Sequence, residues 1–302
     1  MKNLMTLLFA VMLFSFQAVY SEGQSQQPRP PQPMFPPAGQ AQSFAGNAFG
    51  VMEDAFAKQD DSYTMEDEYA LGRVIAASIL GKYKPYTANQ DLTNYVNRIC
   101  QTIVINSPQP AIFNGYHVLI LDSPEFNAFA SPGGHLFITR GLVEACSSED
   151  ILAAVIAHEL AHVMLKHGIA IANSFEAQMN VHAADAARQG QALAQSSAAN
   201  RLMSYRQQVS GLLDTLTVSG YAQEQEFEAD REAAVLLATA GYDPNAIVEM
   251  LRILQRVQSS QMGGFNTTHP TPAARISNVE GLMWNIRVND TKSFRVPRFK
   301  NK

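Results

Sequence analysis

The six residues Ala157-His158-Glu159-Leu160-Ala161-His162 constrain the fold more than any other stretch of this chain. They lie in a strongly periodic helical run. It starts at Ser147, a capping residue with Asp150 three positions on, and reaches about His167, where Gly168 marks the end. Residues four apart share a helical face, so His158 and His162 direct two imidazoles to one point and can hold one metal ion there. Glu159 stands one residue round and reaches a water on such an ion. A catalytic zinc takes three protein ligands and keeps a fourth position open. The chain must therefore fold so that a second element brings the third ligand to this helix.

The spacing is the HExxH arrangement of zinc metallopeptidases. The best candidate for the third ligand is Glu226 in Glu226-Phe227-Glu228-Ala229-Asp230, where Glu226 and Asp230 share a helical face that Glu228 does not. One carboxylate of the pair can bind zinc while the other accepts a hydrogen bond from the free nitrogen of a ligand histidine. Zinc acidifies water and polarises a substrate carbonyl, and Glu159 can act as general base and then as proton donor to the leaving amine. The developing oxyanion needs a further electrophile. His269 and Arg275, in Thr268-His269-Pro270-Thr271-Pro272-Ala273-Ala274-Arg275, are the late candidates. His269 could instead occupy the open zinc position in a resting state.

Around this core the pattern predicts an α+β, mainly helical fold with a small antiparallel sheet at the active-site cleft. Helices are expected over 66–82, 89–105, 222–240 and from Asp243 to about Gln261. Short strands are expected at 117–121, 126–130 and 135–139, with a turn at Ser131-Pro132-Gly133-Gly134. The 302 residues carry a formal charge of −5, which argues against nucleic acid as a partner. Lys2 and the apolar run Leu4–Tyr20 read as a signal peptide over 1–21. The chain is thus expected to be exported, with secretion or anchoring by an uncleaved signal as alternatives. Between Glu22 and Gln42 stand six prolines and six glutamines, so 22–60 is expected to be a disordered tether. A metallopeptidase domain is expected over 61–288, with 173–220 as a helical insert or lid, and a tail over 289–302. Export permits a disulfide between Cys100 and Cys146; the plainer expectation is two buried thiols.

From about Met65 to Met283 the chain resembles the Ste24/CAAX-prenyl-protease-type family of zinc metallopeptidases (HExxH gluzincins), in its soluble, exported bacterial branch of BepA-like and LoiP-like proteins. The residues that carry the resemblance are Asp91–Ile99, Asn127–Gly134, Thr139-Arg140-Gly141-Leu142, the HExxH helix, the Glu226–Asp230 element and the late His269…Arg275 element. The resemblance implies a zincin-like domain with one Zn2+ per chain on His158, His162 and Glu226, Glu159 catalytic, and Asp230 orienting a ligand histidine. It also implies that Asn127, Ala128, Phe129 and Ala130 lie on a cleft-edge strand where an extended substrate adds. The expected activity is endopeptidase cleavage of unfolded or misassembled envelope proteins in the periplasm, with a chaperone-like, self-inhibited protein or a secreted protease as alternatives. Peripheral association with the outer membrane or its assembly machinery is a further expectation. The multi-helix membrane portion of prenyl proteases and the C-terminal helical repeats of some periplasmic relatives are not expected here.

Overall fold

The computed structural model describes residues 63–174, 210–211, 220–258, 271–281 and 292–299. The expected signal peptide, the tether, nearly all of the 173–220 insert and His269 lie outside them. The chain enters α1 (Met65–Lys82) through a capping box, in which the Thr64 hydroxyl accepts from the Asp67 amide at 3.2 Å and the Asp67 carboxylate accepts from the Thr64 amide at 3.1 Å. Helix α2 (Gln90–Val104) is capped by Asn89, whose side chain accepts from the Leu92 amide. Its apolar stripe, Val96, Ile99, Cys100 and Ile103, is buried.

Three strands follow: β1 (His117–Leu121), β2 (Ala128–Ser131) and β3 (His135–Thr139). Their order is β1-β3-β2. β2 pairs antiparallel with β3, but β1 pairs parallel with β3, with Val118 opposite Leu136. The sheet is therefore mixed, which corrects the expected antiparallel one. Alternation along single strands reports which faces are buried, and it carries no information on which neighbour a strand chooses. The outer edge of β1 is covered by the segment before α2, where the Tyr86 amide donates to the Ile120 carbonyl at 2.8 Å and the Asp122 amide to the Lys84 carbonyl at 2.7 Å. β2 is the other edge, and no described strand pairs with its outer side.

After the short α3 (Arg140–Ala145) comes the central helix α4 (Glu149–Met164). Every residue from Glu149 to His162 is buried, so neighbours surround the helix on all sides. Ser148, not Ser147, caps it by accepting from the Ile151 amide at 3.2 Å. It stops before His167 because Lys166 takes the left-handed conformation, φ 57°, which ends a helix. The chain then resumes as a helix over 167–174.

Helices α5 (Gln223–Thr239) and α6 (Ala246–Gln258) pack on α4, and α7 (Pro272–Glu280) packs on α5 and α6. The core joins Ile99 and Ile103 of α2, Ile120 and Leu136 of the sheet, Leu152 and Ile156 of α4 and Leu236 of α5. Cys100 and Cys146 are both buried thiols in this core, not joined in a disulfide, and burial pushes the Cys100 thiol up to about 12. The stretch expected as a tail carries α8 (Lys292–Phe299), with Arg295 buried against the start of α4. Among the described residues, no helix is long and apolar enough to cross a membrane.

Candidate active site and metal centre

The helical period puts His158 and His162 of α4 on one face. The same period puts Glu226 and Asp230 of α5 on the face turned towards them. Glu226 lies in the first turn of α5, where the helix dipole favours a carboxylate. His158 Nε2 lies 3.1 Å from His162 Nε2, and the Glu226 carboxylate reaches each of these nitrogens at 3.4 Å. On the far side of the His158 ring, Nδ1 donates to Asp230 Oδ1 at 3.0 Å. In a neutral His158 that bond turns the Nε2 lone pair towards Glu226 and His162.

Arg275 enters from α7, whose first turn is started by Pro272. Its guanidinium grips Asp230 with two bonds of 2.7 Å and lies 2.9 Å from Glu226 Oε2. Such a fork fixes both carboxylates of α5 at once. The sequence suggested Arg275 as an electrophile for the oxyanion. In the structure its donors are aimed at Asp230 and Glu226.

His158, Glu159, Glu226, Asp230 and Arg275 are all 0 % exposed. Three carboxylates thus face one guanidinium in a buried space, leaving a formal deficit of two positive charges. A buried charge imbalance of this size calls for a cation or for protonation. The electrostatics agree. Burial and the Arg275 charge push the His158 imidazolium down, yet acceptance by Asp230 and Glu226 outweighs them and lifts it to about 9. Burial lifts the Glu159 carboxyl to about 7. Burial would raise Asp230 as well, but the Arg275 charge and hydrogen bonds hold it down at about 2.

His158, His162 and Glu226 are the one group among the described residues whose ligand atoms converge as a metal site requires, all within 4.8 Å of one another. Two metal–ligand arms of about 2.0–2.1 Å at the tetrahedral angle would leave their ends about 3.3–3.4 Å apart. The observed separations of 3.1–3.4 Å fit.

Of the expected substrate residues, Ala128, Phe129 and Ala130 lie on β2, and Asn127 immediately precedes it. Asn127 is tied to β3 through Thr139, which accepts from the Asn127 amide at 2.9 Å. Ala130 and Ser131 line a cleft shared with His162 and Tyr221.

Three residues at the site escape the sequence reading. The Tyr221 ring stacks on His162 with centroids 3.8 Å apart. His167 Nδ1 lies 2.9 Å from His162 Nδ1, and His167 Nε2 lies 3.2 Å from Glu228. A histidine five residues past His162 is off the helical face, and only the turn at Lys166 brings it back. Glu228 does leave the Glu226–Asp230 face, as its spacing says, and it faces His167 instead.

A helix-borne His-Glu-x-x-His set completed by a carboxylate from a second helix defines a metal-dependent peptidase. The comparison with known proteins agrees: residues 88–283 match peptidase family M48, and the chain belongs to that family. It is 31 % identical over 194 residues to the mitochondrial metalloendopeptidase OMA1 of Schizosaccharomyces pombe, covering 62 % of this chain and 52 % of the relative. It is 27 % identical over 245 residues to the beta-barrel assembly-enhancing protease of Escherichia coli, covering 79 % and 48 %. Identity to the metalloprotease LoiP of Escherichia coli is 28 % over 162 residues, covering 53 % and 59 %. The chain thus spans about half the length of the curated relatives it matches.

Proposed function

We propose that this chain is a zinc endopeptidase of the soluble, exported Ste24-type bacterial branch, cleaving unfolded or misassembled proteins of the cell envelope. The observation that carries the reading is the buried triangle of His158, His162 and Glu226, with edges of 3.1–3.4 Å and with Glu159 beside it. These three side chains would hold the ion, and zinc there supplies Lewis-acid polarisation of the scissile carbonyl and acidifies water. Glu159, with its pKa lifted to about 7, takes a proton from the attacking water and returns it to the leaving amine. Asp230 keeps His158 in the tautomer whose Nε2 can bind metal. Arg275 holds Asp230 and Glu226 in place.

An extended substrate adds to the outer edge of β2 by main-chain hydrogen bonds, which suits unfolded chains of little sequence preference. The apolar run Leu4–Tyr20 supports export to the periplasm. One relative is named for enhancing beta-barrel assembly, which supports an envelope setting and contact with outer-membrane assembly. The full burial of Glu159 favours a resting state that must open before a polypeptide enters, consistent with a latent, self-inhibited protease.

The test is zinc content together with degradation of unfolded casein. Wild type should bind one zinc per chain and cut casein. Glu159→Gln should keep the zinc and lose activity by roughly 10²–10⁴-fold, as for loss of a general base. A wild-type protein that binds no zinc tightly would sink the proposal.

A further inference from the structure

His162 presents its two nitrogens in opposite directions. Nε2 faces His158 and Glu226, while Nδ1 lies 2.9 Å from His167 Nδ1. His167 is buried, 4 % exposed, and its Nε2 lies 3.2 Å from Glu228, a side chain 47 % exposed. With His167 neutral, only one proton arrangement satisfies every atom along this line. Glu228 only accepts, so His167 Nε2 carries a hydrogen and donates to it. A neutral His167 then has a bare Nδ1, which accepts from His162 Nδ1–H. His162 Nε2 thereby presents its lone pair towards the metal site. The His162 ring is also bracketed, by Tyr221 stacked on one face and by His167 edge-on at 5.0 Å.

We propose that His167 and Glu228 form a positioning relay for His162, the counterpart of what Asp230 does for His158. The inference rests on the metal-site reading above. His167 itself is no ligand, because both of its nitrogens are committed away from the site. The relay depends on the left-handed turn at Lys166, which swings residue 167 back onto the His162 ring. It also joins the metal site to the protein surface, because the helix that supplies Glu226 carries Glu228 two residues later.

The experiment measures zinc affinity by competition with a chelator, alongside thermal unfolding of the metal-free protein. His167→Ala should weaken zinc binding about 10–100-fold, the usual effect of losing a partner that orients a ligand. His167→Asn restores an acceptor close to the Nδ1 position and should recover most of that loss. Glu228→Gln should weaken binding towards the lower end of the range in the wild-type background and should have no further effect in the His167→Asn background. Unchanged zinc affinity in the His167 variants, with only lower unfolding temperatures, would overturn the relay. An equal effect of Glu228→Gln in both backgrounds would also overturn it, and this arm stands even if His167→Ala fails to fold. A wild-type protein without zinc would overturn the functional reading instead, so the two failures are distinct.

Discussion

The two ends of α4 solve the same problem in opposite ways. At the N-terminal end, Glu149 and Asp150 are buried carboxylates. Glu149 accepts from Tyr95 at 2.5 Å, from Tyr242 at 3.0 Å and from Arg298. Asp150 accepts from Arg295 at 2.6 Å and from the Asp243 amide at 2.9 Å. Two carboxylates meet two guanidiniums, at the end of a helix where negative charge is favoured. The far end holds Glu159, Glu226 and Asp230 against a single guanidinium, that of Arg275. One end is closed electrostatically and serves as an anchor. The other is left two positive charges short, and it is there that the protein can hold a metal. Burial of acids does not by itself mark a site; an uncompensated charge balance does.

Removing the guanidinium at the open end should have the largest effect. Arg275→Ala leaves two buried carboxylates without their partner and should cost about 5 kcal/mol of unfolding free energy in the metal-free protein, the upper range for breaking a buried ion pair. Chemical denaturation measures it, and a loss under 1 kcal/mol would mean that the charge balance is misread. Arg295→Ala tests the anchor. It should cost about 3–4 kcal/mol while zinc affinity stays within about twofold, and a parallel loss of zinc would join the two ends that the comparison separates.

A histidine away from both ends gives the pH control. Burial lowers the His135 imidazolium from 6.5 to about 4. Between those values the unfolded chain binds the proton and the folded one does not. Stability therefore rises with pH across the window and is lost as pH falls from about 6.5 to 4, by on the order of 3 kcal/mol. His135→Gln should flatten that slope, as read by denaturant titrations at several pH values. The smallest effect is expected at the turn below the open end. Lys166→Gly relieves a left-handed backbone and should gain about 1 kcal/mol at most, offset in part by loss of the exposed 2.5 Å ion pair with Glu68. A clear destabilisation would show that the Lys166 side chain, not the backbone turn, holds His167 in place.

Much of the open end is legible from local spacing. His158 and His162 announce a shared face, as do Glu226 and Asp230, because four residues make about one helical turn. β1 and β3 appear where β-branched and apolar residues replace the helical period. Other features are not legible for definite reasons. The parallel pairing of β1 with β3 depends on chain crossover. A left-handed lysine has no compositional mark of the kind a glycine would leave, so α4 reads one turn too long and His167 reads as its last residue. Arg295 looks like part of a basic tail, since nothing nearby in sequence announces that Asp150 lies at the other end of its reach.

The amino-acid sequence by itself determined the helices, the two pairs of residues four apart and the Glu159 between the histidines, because helical periodicity is a local property. Only the tertiary structure decided which carboxylate meets which nitrogen, that Arg275 grips Asp230 and Glu226, and that His167 turns back onto His162. Those outcomes depend on contacts between residues up to 117 positions apart, as His158 and Arg275 are. Such contacts are set by packing and by the need to satisfy every buried charge, neither of which is written in a local pattern.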